Sequence, residues 1–104
     1  MSWRVIMTDT AKNDLREIAF SIYQEAGDAE TAARFVLELR EKCSMLEEFP
    51  ERGANPKDHI LKAQGYRYLV HKHYLIFYLT DSAEKKVFIQ AFFHEKLDYF
   101  RRML

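Results

Sequence analysis

The 104-residue chain has one cysteine, Cys43, three glycines, two prolines and no net charge. A single cysteine excludes an internal disulfide and any zinc site built from cysteines. No internal repeat, low-complexity segment or linker is present. The longest unbroken apolar run, residues 74–79 (YLIFYL), is far too short to cross a bilayer. Residues 1–10 carry charges and lack an apolar h-region, so no signal peptide is expected. With one cysteine and no membrane segment, the expected location is cytoplasmic.

What is present suits one soluble globule. A content of 48% hydrophobic and 31% charged residues fits a packed core, not a disordered or membrane chain. The length matches one domain, expected over 1–104, burying roughly two-thirds of the surface its unfolded chain exposes. Zero net charge hides an asymmetry. Residues 1–50 hold six Lys/Arg against ten Asp/Glu; residues 51–104 hold ten against six, and all four histidines. A molecule polarised in this way meets a polyanion on its basic side only, unless the charges sorted by chance.

The apolar pattern changes period along the chain. Trp3, Val5 and Met7 alternate as a first strand. Thr8 is placed to cap a helix, with Asp9 at the positive end of its dipole. Ala11, Leu15, Ile18, Ala19 and Ile22 form one helical stripe. Gly27 stops that helix and Asp28 caps the next, whose stripe is Ala32, Phe35, Val36, Leu39, Cys43 and Leu46. Phe49-Pro50 ends it. Two amphipathic helices with so short a joint predict an antiparallel hairpin. Residues 51–57 (ERGANPK) read as a loop. Residues 66–70, 74–79 and 86–92 read as strands, and their short connections allow only antiparallel neighbours. Leu97, Phe100, Met103 and Leu104 give a short C-terminal helix an apolar stripe. The expected fold is α+β, β-α-α-β-β-β, with the helical hairpin on one face of a small antiparallel sheet. The opposite face is expected to be bare and cationic, free for whatever the molecule attacks.

Several segments resemble one family. They are the first strand running into residues 8–15 (TDTAKNDL), residues 49–53 (FPERG), Gly65-Tyr66-Arg67, residues 74–78 (YLIFY), and His94 with Asp98 four residues on. Together, and in this order over nearly the whole chain, they resemble the RelE/ParE superfamily of toxins from bacterial toxin–antitoxin pairs, often called plasmid stabilisation proteins. The resemblance implies a toxin neutralised by a small antitoxin that wraps around it, the complex repressing their shared operon. It also implies one of two activities. RelE-like members cleave mRNA on the ribosome; ParE-like members bind and poison DNA gyrase.

Cleavage through the 2′-hydroxyl needs a base, a proton donor and cations for the phosphorane charge. RelE-like toxins supply much of this with arginines and lysines. Here Leu75 stands where the resemblance leads one to expect an arginine, and Glu95 and Leu97 fall in a stretch that is arginine-rich there. A carboxylate and a leucine cannot stabilise the developing charge. His94 is the best remaining acid/base candidate; otherwise it caps the last strand. Arg67 can clamp a phosphate, or hold its own turn. His71, Lys72 and His73 sit in a hairpin turn, with too few ligands for a metal. The tyrosines invite base stacking, but most suit sheet packing, Tyr99 being placed to serve a site. Arg101 and Arg102 form a cationic tip, or simply meet the negative end of a helix dipole. Cys43 reads as a buried small hydrophobe.

The favoured expectation is a ParE-like gyrase poison that needs no cofactor or metal. The alternatives are a metal-independent ribosome-dependent endoribonuclease using His94 and Arg67, or a degenerate toxin that only binds antitoxin. Lys72, His73, Tyr99, Arg101 and Arg102 are the expected target contacts. An antitoxin helix is expected in a groove between hairpin and sheet, against Leu15, Ile22, Phe35 and Leu39.

Overall fold

The computed structural model describes residues 2–97, 102 and 103. Its elements are β1 (Arg4–Met7), α1 (Asp9–Ala26), α2 (Ala29–Ser44), a 3-10 turn (Met45–Glu47), α3 (His59–Ala63), β2 (Arg67–His71), β3 (Tyr74–Asp81) and β4 (Lys86–His94). Among the described residues, no helix is long and apolar enough to cross a membrane. Of the expected C-terminal helix, Arg102 and Met103 are helical, whereas Phe100 and Leu104 lie outside the described residues.

The hairpin forms as its caps dictate. Thr8 Oγ1 accepts from the Ala11 amide at 3.2 Å, satisfying one of the orphan donors at the start of α1. Gly27 adopts a left-handed φ of 67° and its N–H donates to Tyr23 at 2.8 Å, closing α1. Asp28 then caps α2, accepting from the Glu30 amide at 3.0 Å and the Thr31 hydroxyl at 2.7 Å. These bonds to its charged form, that from Thr31 foremost, hold the Asp28 carboxyl below its ordinary pKa.

The sheet order is β1-β4-β3-β2. Strands β2, β3 and β4 run antiparallel, as their short connections require. Strand β1 instead lies parallel to β4, with Val5 opposite Val87 and Met7 opposite Ile89. The sheet is therefore mixed, not wholly antiparallel. The connection from β1 to β4 contains the helices and two strands, ample length for a crossover, so the short-loop argument never applied to it.

A bulge sets which residues meet the hairpin. Phe77 pairs with Ala91 and Tyr78 with Ile89, leaving Gln90 unpaired. The extra residue reverses the alternation along β4. Val87, Ile89 and then Phe92 join Ala11, Leu15, Ile18, Leu39, Cys43 and Leu46 in the core under the hairpin. Ala91 and Phe93 turn to the opposite face.

That opposite face is not bare. Helix α3 places the fully buried Leu61 on Phe77, Ala91 and Phe93, with Tyr66, Tyr68, Leu75 and Met103 packed around them. The sequence left this helix unread because five residues carry too little periodicity to register. Its cap was the available signal: Asp58 Oδ1 accepts from the Ile60 and Leu61 amides, both at 3.0 Å. The chain's own residues thus cover the centre of the face expected to be open.

Candidate functional site

Three histidines gather at one end of the sheet. The register places His71 opposite Tyr74 and Tyr74 opposite His94, so His71, Tyr74 and His94 share the face that meets the hairpin, while His73 lies in the turn between β2 and β3. His94 lines a small cleft of about 180 Å³ together with Ser21 and Glu17 of α1, Tyr74 and Leu97. The Tyr74 and His94 rings meet edge to face at 5.3 Å, and His73 stacks on His94 at 6.1 Å.

The hydrogen bonds of His94 restrict its chemistry. Its Nδ1 accepts from the Lys96 amide at 3.2 Å, so in this arrangement Nδ1 bears no proton and a neutral ring carries it on Nε2. The nitrogen turned away from Lys96 is then a donor, not a base. The sequence had offered strand capping as the other role of His94, and this bond is of that kind.

The β2–β3 turn is tied down by its own side chains. Lys72 takes a positive φ of 55°. Its Nζ lies 3.2 Å from Glu38 Oε1 on α2 and 5.4 Å from the centre of the Phe35 ring. His71 Nε2 lies 2.9 Å from the same Glu38 oxygen, and His73 Nδ1 lies 3.1 Å from Glu95 Oε1. The bonds from His71 first, then Lys72, depress the Glu38 carboxyl below its usual range. Phe35 packs tilted against His71 at 5.7 Å and Tyr74 at 5.4 Å.

Arg67 lies elsewhere. It begins β2, four residues before His71, roughly 13 Å away at the rise of a strand. Its Nη1 donates to the carbonyls of Glu51 at 3.1 Å and Gly53 at 3.0 Å. Tyr78 completes this clamp, its hydroxyl accepting from the Gly53 amide at 2.9 Å and donating to the Pro50 carbonyl at 2.8 Å. Burial pushes the Tyr78 phenol pKa up. Arg67 is thus held against backbone carbonyls at the end of the sheet away from His94, and the two proposed catalytic residues do not converge.

Arg102 is also engaged. Its Nη2 lies 2.5 Å from Asp14 Oδ1, and its guanidinium sits 4.9 Å over the Phe93 ring. Asp14, the one buried charged side chain among the described residues, also accepts from the Phe92 amide at 3.0 Å. Tyr99 and Arg101 lie outside the described residues. Of the four apolar residues expected to meet an antitoxin, Leu15 and Leu39 are consumed by the core, at 3% and 0% exposed, while Ile22 and Phe35 are half-buried. The exposed apolar residues of the hairpin are Phe20, Tyr23 and Leu37.

Sequence reasoning missed Asp14, Glu38, Tyr78 and Gly53 as organising residues. Glu38 was discoverable, lying three residues beyond Phe35 on α2 and so near one face of that helix. Asp14 interrupts the buried stripe beside Leu15, the one signal that a carboxylate there has a partner. No feature of the sequence near Tyr78 names Pro50 and Gly53 as its partners. Among the described residues no group of three or more His, Cys, Asp or Glu side chains is placed to hold a metal ion.

Residues 5–99 match the family described as the ParE toxin of the type II toxin–antitoxin system parDE. No curated protein matches the chain. Among solved structures, a chain of the chromosomal ParDE toxin–antitoxin system from P. aeruginosa superposes with a TM-score of 0.74 at 19% identity, covering 89% of this chain and 96% of that one. The RelBE2 toxin–antitoxin complex of Mycobacterium tuberculosis gives 0.68 at 20% identity, over 90% of this chain and 99% of that one. A double arginine-to-alanine variant of the E. coli toxin RelE, in its free state, gives 0.66 at 14% identity over the full length of both. These structural likenesses show the fold, and the family match spans nearly the whole sequence: the chain belongs to the ParE toxin family of type II toxin–antitoxin systems.

Proposed function

We propose that this toxin acts by binding and poisoning DNA gyrase, without chemistry of its own, and is neutralised by a cognate antitoxin. The observation that carries this reading is the separation of His94 from Arg67. Arg67 holds the loop at residues 51–53, and His94 has Nδ1 engaged by the Lys96 amide. A phosphorane-stabilising set has to converge on one phosphate. Around His94 the cleft offers Tyr74, Ser21, Glu17 and Leu97, and the arginine that lines it among the described residues, Arg102, is bonded to the Asp14 carboxylate. Leu75, where an arginine would serve cleavage, packs against the Leu61–Phe93 cluster.

The antitoxin partner is supported by the solved relatives, two of which are described as toxin–antitoxin systems or complexes. Lys72 and His73 stand exposed at the turn, where a target protein can reach them. The chain works as one toxin domain in the cytoplasm, where its target resides.

A ribosome assay tests the reading. Purified toxin added to translating ribosomes is expected to leave mRNA intact. Cleavage that disappears in both His94→Ala and Arg67→Ala would establish an endoribonuclease instead. Intact mRNA, unimpaired gyrase and unimpaired growth on expression would leave only a degenerate antitoxin binder.

A further inference from the structure

The segment between α2 and the Gly53 clamp builds a cleft that neither the core nor the histidine end uses. Trp3, Glu48, Phe49, Pro50, Glu51 and Arg52 line it, and its volume is about 640 Å³. None of these residues belongs to α1 or α2. Backbone bonds give the cleft a fixed shape. The Trp3 amide donates to the Glu47 carbonyl at 2.7 Å, tying the residue before β1 to the 3-10 turn. The Arg52 amide donates to the Phe49 carbonyl at 3.2 Å, while Arg67 and Tyr78 hold the carbonyls of Glu51 and Pro50. A site held in shape beforehand loses little affinity to ordering when a ligand arrives.

The lining is aromatic and acidic, and the chain itself uses neither feature. Phe49 is 66% exposed, the most of the large apolar residues described. Among the described residues, neither the Trp3 nor the Phe49 ring has an aromatic or cationic partner. Glu48 and Glu51 are exposed, and among the described residues no Lys, Arg or His lies within ion-pair distance of either. Arg52, the one cation of the lining, is unpaired among them too, so the carboxylates outnumber it.

Ring faces and unpaired carboxylates both attract a cation. We infer that the cleft receives an arginine or lysine carried on a basic segment of a partner protein. Its aliphatic stem lies on Trp3, Phe49 and Pro50, and its charged head beside Glu48 and Glu51. A free small molecule suits the cleft less well, although the volume falls within the roughly 300–1,000 Å³ of such sites. Those sites cover about 70–90% of their ligand, and a wall as exposed as Phe49 leaves too much of one in water. A cation borne on a chain has its remaining surface covered by its own segment. Nucleic acid is disfavoured by charge, since its phosphates would meet Glu48 and Glu51. The inference goes beyond the gyrase reading, because it holds for whatever target the toxin meets.

Trp3 is the only tryptophan of the chain, so its emission reports on this cleft alone. The full chain is titrated with a 12-residue Gly/Ser peptide carrying four arginines, with the same peptide carrying neutral citrulline instead, and with free arginine amide. The arginine peptide is expected to change the Trp3 emission saturably, more weakly as salt is raised. The citrulline peptide and arginine amide should each bind at least tenfold more weakly. Glu48→Gln/Glu51→Gln should lower the affinity for the arginine peptide about fivefold or more. Phe49→Ser, at an exposed position where the fold is spared, should weaken it about threefold. Glu25→Gln/Glu30→Gln removes the same charge at the far end of the hairpin, Glu30 lying roughly 21 Å along α2 from Ser44, and should leave binding unchanged. No saturable change in emission, equal binding of the citrulline peptide or of arginine amide, or equal weakening by the two glutamate pairs would overturn the inference.

Discussion

Asp14 and Arg102 join the beginning of the chain to its end, Arg102 Nη2 lying 2.5 Å from Asp14 Oδ1 while Asp14 Oδ2 accepts from the amide of Phe92. One carboxylate therefore satisfies a buried backbone donor of β4 and a cation on the C-terminal segment. Asp14 is 4% exposed and Arg102 is 41% exposed as side chains. Removing the anion orphans a buried amide, whereas removing the cation strands a buried charge. Asp14→Ala should cost about 2–3 kcal/mol and Arg102→Ala a similar amount, each measured by urea denaturation. Asp14→Asn keeps an acceptor for the Phe92 amide and should cost clearly less than Asp14→Ala.

The clamp on residues 50–53 depends on the lack of a side chain at Gly53. A Cβ there would meet Tyr78 Oη at 2.5 Å and the Tyr68 carbonyl at 2.9 Å, distances real Cβ atoms do not adopt. Gly53→Ala must therefore shift the Tyr78 ring or the loop, with an expected loss of about 2–4 kcal/mol. Tyr78→Phe keeps the ring but deletes both hydrogen bonds, and should cost about 1–3 kcal/mol. Thermal unfolding of the two variants checks the order.

The strained turn gives a paired prediction. Lys72 holds a left-handed backbone that costs a non-glycine residue about 1–2 kcal/mol, and its side chain is pinned by Glu38 and Phe35. Lys72→Ala loses the contacts and keeps the strain; Lys72→Gly loses both. The glycine variant should be the more stable of the two by about 1 kcal/mol in chemical denaturation. Equal stabilities would show that the turn is unstrained.

Stability should fall at both extremes of pH, for separate reasons. The Glu38 carboxyl is depressed from 4.5 and that of Asp28 from 3.8, so the folded state holds these protons less tightly than the unfolded one. Their stabilisation is present above those ordinary values and disappears as pH drops through the lower folded ones. Burial raises the Tyr74 and Tyr78 phenols above 10, so the folded state binds these protons more tightly. Their contribution is complete below pH 10 and disappears as pH climbs through the raised values. Glu38→Gln should flatten the acid limb of a stability–pH curve, and Tyr78→Phe the alkaline limb.

Much of the fold was legible because its signals are local. Thr8, Gly27 and Asp28 mark the ends of the two helices by cap chemistry, and the caps form between neighbours in sequence. The three later strands announced their antiparallel order through short turns. The parallel seat of β1 was invisible, because nothing near Arg4 or Met7 records a pairing made some eighty residues later. The covered second face escaped for a similar reason, since Leu61 carries no periodic company. At the site, sequence grouped His94 with Arg67 by residue type, and only register could separate them. It likewise assigned Leu15 and Leu39 to a partner that the internal core had already displaced.

A toxin that works by occupying gyrase must act on the purified enzyme with no ribosome present. The most direct measurement is DNA supercoiling by purified gyrase with increasing amounts of the full chain. Stalled supercoiling with cleaved DNA accumulating, retained in His94→Ala, is the predicted result. Unimpaired supercoiling at every toxin concentration, from protein that still arrests growth when expressed, would contradict it.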